Sequence, residues 1–428
     1  MDKFSKFLEE KLMPIGQKIN NIRFLQVIRM AMMPLIPFII AGSFTLIVLN
    51  FPFIDKVLPA GFLEMVGNVL SPLSGTTLSL VAMFLAFLMG YNYAKTEEQK
   101  CEEVYAGITT LVAFLIVSPL SITVGEEVIG GVIPTTYMGS QGMFVALILC
   151  YLVAKVYCKI LSSKLKIRLP DSVPPMVSSS FESLIPVIIP LVLVCSINYC
   201  FTLTSFGTIH DLVNEIIQKP LLLIGTGLPA LLISQGLAQL LWFFGLHGDQ
   251  IVGSVMDPIL QTAGMENLSA YTAGDAVPYI ITDQFRALFV MIAFMSLVIA
   301  ILIVSTSNRL KGVGKVAVLP ATFCISEPVV FGAPVVMNAM LFIPWVLSRP
   351  VFGLITWLFM KFGLCPYPTG VAIPWTTPPV LSGFLATNSI MGAVVQIICL
   401  AIGVLMFIPF VKMIDKTYHQ EEIKTKEQ

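Results

Sequence analysis

The chain has 428 residues, of which 56 % are hydrophobic and 12 % charged, and its mean hydropathy is +0.88. Soluble domains carry about twice that share of charge, so a soluble globular enzyme is excluded and a polytopic membrane protein is expected. Basic and acidic residues balance at 25 each, which argues against a nucleic-acid partner.

Residues 1–24 set Phe4, Phe7, Leu8, Leu12 and Ile15 at helical spacing among Lys3, Lys6, Glu10 and Lys11. This is the pattern of a helix lying in the membrane interface or of an ordinary cytosolic amphipathic helix. Charge precedes the first apolar run, so no cleavable signal peptide is expected. Windows long enough to span a bilayer follow near 28–49, 69–93, 104–122, 142–160 and 184–204. The loops at 94–103 (Lys95, Lys100) and 155–168 (Lys155, Lys159, Lys164, Lys166, Arg168) are basic, whereas 50–68 has only Lys56 and 123–141 has no Lys or Arg. That alternation places both termini in the cytoplasm by the positive-inside rule.

Residues 208–219 read as a second amphipathic helix, striped by Ile209, Leu212, Val213, Ile216 and Ile217, capped by Thr208 and ended by Pro220, with His210 on the solvated face. The next clear window is 285–305, followed by Arg309, Lys311 and Lys315, so 220–284 crosses the membrane an even number of times. The apolar run there is interrupted at Gly225, Gly227 and Pro229. Clear windows return at 341–360 and 389–411, with a Pro-rich segment 363–387 between them and a basic tail after. The eight cysteines show no C-x-x-C pair and no metal spacing. They read as small buried hydrophobes, and neither a metal nor a cofactor is expected.

The most informative stretch is LPATFCISEPVVFGAPVVMNAMLFIPWVLSRP, 319–350. It is apolar, yet it holds Glu327 and six expected breaks at Pro320, Pro328, Gly332, Pro334, Pro344 and Pro350. Broken backbone at membrane depth survives where protein or a wet cavity satisfies it, and an ionisable group there marks a functional site. Two broken segments in one half of a chain point to a transporter's binding site. The first ends in WFFGLHGD, with Trp242, His247 and Asp249; the second carries Glu327. A carboxylate and an imidazole that converge, with an indole face over the C–H face of a ring, suit a polyhydroxylated solute. Trp375 in IPWTTPP is a second candidate platform, and Gln141 in MGSQG and Asn338 are further candidate polar contacts.

Four ordered motifs, LPDSVPPMVSSSFESLIP (169–186), WFFGLHG (242–248), SEPVVFGAPVVMN (326–338) and PWTTPP (374–379), resemble the membrane subunit, enzyme IIC, of the sugar phosphotransferase system. The branch is the one handling lactose, cellobiose and N,N′-diacetylchitobiose. The resemblance implies an all-α homodimer of a bacterial cell membrane, with about ten transmembrane helices and two re-entrant hairpins. An N-terminal half (1–219) would dimerise, and a C-terminal half (220–428) would hold one sugar and carry it across. In that family the histidine of the WFFG-x-HG motif and the glutamate of the EP-x-x-FG motif bind the sugar near the hydroxyl to be phosphorylated; they fall on His247 and Glu327. The chain departs from the family at Ser326, where Asn or Thr is usual, at Ala339, where Pro usually follows the asparagine, and at TDQFRAL (282–288), where the pattern is GGSG-A-T-L. Asp283 and Arg286 stand there as candidate specificity elements. The function implied is uptake of a β-linked disaccharide that is phosphorylated by a separate phosphocysteine protein, enzyme IIB. A proton-coupled symporter and a membrane sugar sensor are the rival readings.

Overall fold

The computed structural model describes residues 22–49, 58–97, 101–124, 127–167, 169–170, 173–333 and 335–426, and most of them are helical. The expected helix in 1–24 lies almost wholly outside the described residues. The chain forms two compact units, one built mainly from Glu64–Leu223 with Asn21–Thr45, the other mainly from Ile224–Gln428. Seven described helical stretches are long and apolar enough to cross a membrane: Arg23–Thr45, Ala60–Lys95, Ser140–Leu161, Met176–Thr202, Phe285–Val304, Ala339–Lys361 and Ile390–Lys424. The pair Ile209–Gly225 and Leu228–Phe243, bent by 68° at its break, has the form of a broken span or a re-entrant loop.

In the N-terminal unit, α1 (Arg23–Met32) buries Val27, Ile28, Ala31 and Met32 on one face. A 3-10 turn around Pro34 leads into α2 (Ile36–Leu49). Helices α3 (Ala60–Thr77) and α4 (Val81–Lys95) follow, then α5 (Glu103–Val117). The expected span 104–122 is therefore a shorter helix, ending at Ser118 because Pro119 disfavours helical backbone before it. A hairpin of β1 (Ser121–Val124) and β2 (Glu127–Gly130) continues the chain, pairing Ser121 with Gly130. α4 approaches α5 closely because Gly90 offers no side chain: a Cβ there would lie 2.5 Å from the Ala106 carbonyl. Thr110 Oγ1 fills the seam and donates to the Ala86 carbonyl at 2.8 Å. Small residues and buried hydroxyls of this kind join helices where apolar burial drives little association.

The unit continues with α6 (Met143–Leu161), α7 (Pro175–Glu182), α8 (Leu184–Thr202) and α9 (Ile209–Val213). Three expectations are corrected here. Thr208 does cap α9, accepting from Asp211 N at 3.0 Å, but the helix does not end at Pro220. A π turn, Asn214–Gln218, connects to α10 (Lys219–Gly225), and Pro220 sits in its first turn, where a missing N–H is tolerated. His210 is not solvated: it is 1 % exposed, lies 3.0 Å from Ser118 Oγ through Nε2, and contacts the rings of Phe114 and Tyr137. The bundle covers the face that a single amphipathic helix would leave to water. Nor are all cysteines inert hydrophobes. Cys101 and Cys158 form a disulfide between the turn before α5 and the last turn of α6, and Cys195 and Cys200 are exposed on α8, whereas Cys150 and Cys399 are buried.

The C-terminal unit opens with α11 (Leu228–Phe243) and α12 (Gly248–Ala273), joined by the short turn 244–247. A π turn, Phe285–Val290, leads into α13 (Ala293–Val304), then α14 (Asn308–Thr322) and the six-residue α15 (Glu327–Gly332). Left-handed backbone at Cys324 and Met337 brackets α15 and accounts for the break expected there. By contrast α16 (Ala339–Lys361) continues through Pro344 and Pro350, and α14 through Pro320, so none of the three is a break. The Trp345 carbonyl of α16 takes a bond from Gln239 Nε2 at 3.1 Å and one from Ser348 Oγ at 2.8 Å. Neighbouring side chains thus support the proline-bearing stretch from outside. Segment 363–380 is irregular, and α17 (Leu381–Thr387) and the long α18 (Ile390–Lys426) close the fold. Asp415 of α18 accepts from the backbone N–H and hydroxyl of both Thr306 and Ser307, pinning the start of α14.

Candidate sugar site in the C-terminal unit

The WFFGLHGD turn is built by its glycines. Gly245 is left-handed (φ 76°), and its N–H reaches the Trp242 carbonyl while Leu246 N–H reaches that of Leu241, closing the end of α11. Gly248 permits α12 to start against α11, since a Cβ there would lie 1.9 Å from the Ala238 carbonyl oxygen. His247 caps α12: its Nδ1 accepts from Gln250 N at 3.3 Å. That bond needs the Nδ1 lone pair, so the neutral ring carries its proton on Nε2 and offers an N–H donor to a ligand. The ring is exposed and stacks obliquely on Trp242, with centroids 4.4 Å apart.

Trp242 is itself 4 % exposed and donates from Nε1 to Asp249 Oδ2 at 2.8 Å. It is less an open platform than the support that holds His247 and Asp249. Asp249 also receives both Nη1 and Nη2 of Arg349 on α16, at 2.5 and 3.0 Å, a bidentate pair whose arginine side chain is 3 % exposed. Arg349 and the indole N–H compensate the burial of the Asp249 carboxylate.

Glu327 is the first residue of α15, where the helix dipole favours an anion. Its carboxylate is exposed rather than buried, with no hydrogen bond or ion pair to a described residue. The backbone is anchored beneath it by Val329 and Val330, both 0 % exposed. The two broken segments are tied together: Met337 N–H donates to the Phe243 carbonyl at 2.9 Å, and Val336 packs 3.4 Å from where a Gly245 Cβ would stand. Trp242, Phe243, Phe244, Val329 and Val330 belong to one apolar core. The PWTTPP loop joins the same region through Cys324 Sγ, 3.7 Å from the Thr377 carbonyl, and Trp375 on it is 53 % exposed.

The other predicted contacts fall elsewhere. Asn338 is spent as the cap of α16, its Oδ1 accepting from Met340 N at 3.1 Å. Gln141 is exposed on a 3-10 turn of the N-terminal unit. Sequence reasoning missed Arg349 and Asp257. A lone arginine inside an otherwise apolar spanning window was the signal for the first. Asp257 forms an ion pair with Arg286; nothing in its local sequence announces that partner.

Residues 29–348 match the family described as Phosphotransferase system, EIIC. The chain is 40 % identical to the PTS system oligo-beta-mannoside-specific EIIC component of Bacillus subtilis (strain 168), over 97 % of this chain and 94 % of that one. It is 36 % identical to the PTS system cellobiose-specific EIIC component of Geobacillus stearothermophilus, over 99 % and 96 %. Its fold matches the crystal structure of the transporter ChbC, the IIC component from the N,N′-diacetylchitobiose-specific phosphotransferase system, with a TM-score of 0.91, 33 % identity, and coverage of 97 % of this chain and 99 % of that one.

Proposed function

The chain belongs to the phosphotransferase-system EIIC family, and from that membership we propose that it binds a β-linked disaccharide, carries it across the membrane and presents a hydroxyl to a phosphorylated EIIB component. The observation that supports the site assignment is the tie between the two broken segments, Met337 N–H to the Phe243 carbonyl, which links the turn bearing exposed His247 to the segment bearing exposed Glu327. The sugar class follows from relatives named for cellobiose, oligo-β-mannosides and diacetylchitobiose.

Phosphoryl transfer asks mostly for positioning and electrostatics. In this reading Glu327 accepts the hydrogen bond of the acceptor hydroxyl and takes its proton as the oxygen attacks phosphorus. The phosphorus–sulfur bond to the EIIB cysteine breaks in the same step, and the thiolate leaves. His247 Nε2–H donates to a neighbouring hydroxyl and fixes the ring. Trp375 offers an exposed indole face to the sugar, and Trp242 keeps His247 in place. The dimer contact is assigned to the N-terminal unit on the family resemblance, and both termini to the cytoplasmic side on the Lys/Arg asymmetry. Membrane vesicles given a β-linked disaccharide and phosphorylated EIIB test the reading: sugar phosphate appears inside only with the partner. Unmodified sugar accumulating until an uncoupler is added would instead identify a symporter.

A further inference from the structure

One face of α12 carries Asp249, Gly253, Asp257 and Gly264, spaced by four, four and seven residues, which keeps them on a single side of a helix. Asp249 is neutralised by Arg349 in the candidate site. About 12 Å further along the helix axis, at 1.5 Å per residue, Asp257 pairs with Arg286 from the π turn that opens α13. Arg286 is near enough to act on the Asp249 charge as well, so the two pairs form one charged track. Beyond them the track is sealed. Gly264 makes room for Asp283 and Gln284, since a Cβ there would lie 2.3 Å from Asp283 Oδ1, and Gly370 lies on the Gly264 carbonyl and receives Gln284 Nε2 at 3.2 Å.

The Asp257–Arg286 pair differs from its neighbours in being half open. The Asp257 side chain is 37 % exposed, while Arg286 is held at 11 %. Arg286 Nε is shut away from solvent without a hydrogen-bond partner, an orphaned buried donor of the kind a ligand or water satisfies. The π turn sets this arginine: Met291 N–H bonds back to the Arg286 carbonyl, five residues earlier, and such turns recur at functional sites.

We propose that the Asp257–Arg286 pair is the subsite for the second ring of the bound disaccharide, and that it selects a ring bearing free hydroxyls over one bearing an acetamido group. A carboxylate beside a guanidinium accepts from one hydroxyl and donates to the next, a pattern that neighbouring ring hydroxyls match. An acetamido group gives up one of those hydroxyls and brings a methyl group against a charged pair. This inference rests on the sugar-permease reading and narrows its substrate class.

The test is equilibrium binding of cellobiose and of N,N′-diacetylchitobiose to the purified full chain in lipid nanodiscs. Wild type is expected to favour cellobiose by tenfold or more. Arg286→Gln, and the double variant Arg286→Gln/Asp257→Asn, which leaves no charge stranded, are expected to lower cellobiose affinity about tenfold and move diacetylchitobiose less than threefold, so that the preference collapses. A merely structural pair would move both sugars together with the melting temperature, and that result overturns the proposal. So does an unchanged preference in a stable variant; in both cases the permease reading stands. A wild-type chain that binds neither sugar nor the β-mannobiose analogue overturns the permease reading, and the subsite with it.

Discussion

Asp249 shows how much of the candidate site rests on one part-buried side chain. It joins the indole N–H of Trp242, and through it His247, to a guanidinium on another helix. Removing one partner of a buried ion pair strands the other at a cost of about 3–5 kcal/mol. Arg349→Ala is therefore expected to lower the melting temperature sharply and to weaken sugar binding through His247; unchanged melting would show that the pair is not buried in the lipid-embedded protein. Asp283 makes a second prediction. Burial pushes its carboxyl up to about 7, with Arg286 pulling the other way, whereas an unfolded aspartate titrates near about 3.9. Between those values the folded chain keeps a proton that the unfolded chain has released, so this residue makes stability fall as pH rises from about 4 to about 7. Asp283→Asn cancels that term. Its melting temperature relative to wild type should be higher at pH 8 than at pH 5, and a difference independent of pH would contradict the assignment.

At the scale of elements, punctuation was the legible part. Gly225, Gly227 and Pro328 announced breaks that the backbone makes. Pro344 and Pro350 carried the same signal, yet α16 absorbs both, because a helix packed among others borrows hydrogen bonds that a sequence window does not display. Pairings across the chain were illegible for a simpler reason. Arg349 lies 100 residues from Asp249, and Cys101 lies 57 from Cys158; periodicity reports which face a residue is on, not what lies opposite it. His210 was misjudged on that ground, since a helix read alone has a wet face and a helix inside a bundle need not. Two predictions belong here. Gly248→Ala forces a methyl group into the Ala238 carbonyl and should abolish sugar binding while a protein still inserts; retained binding would mean the α11–α12 junction yields. Gly312, exposed on α14, replaced by Cys in a cysteine-free chain, should react with an impermeant thiol reagent from the cytoplasmic side only. Labelling from outside would refute the even number of crossings assigned to 220–284.

For the molecule as a whole, the C-terminal unit carries His247, Glu327 and the two ion pairs of α12, and the N-terminal unit is held by a small-residue seam and by the buried His210 contact. The family was readable from four short stretches; the ion pairs Asp249–Arg349 and Asp257–Arg286 were not, because each joins helices distant in sequence. The central claim is that Glu327 handles the proton of the hydroxyl being phosphorylated, and Glu327→Gln isolates it by keeping shape and hydrogen bonding without a base. The most direct measurement pairs equilibrium sugar binding with EIIB-dependent sugar-phosphate formation in vesicles for wild type and this variant. The account predicts that binding is retained while phosphorylation falls by about 10²–10⁴-fold, the general worth of acid–base catalysis. Phosphorylation at the wild-type rate would contradict it and leave Glu327 as a grip on the sugar alone.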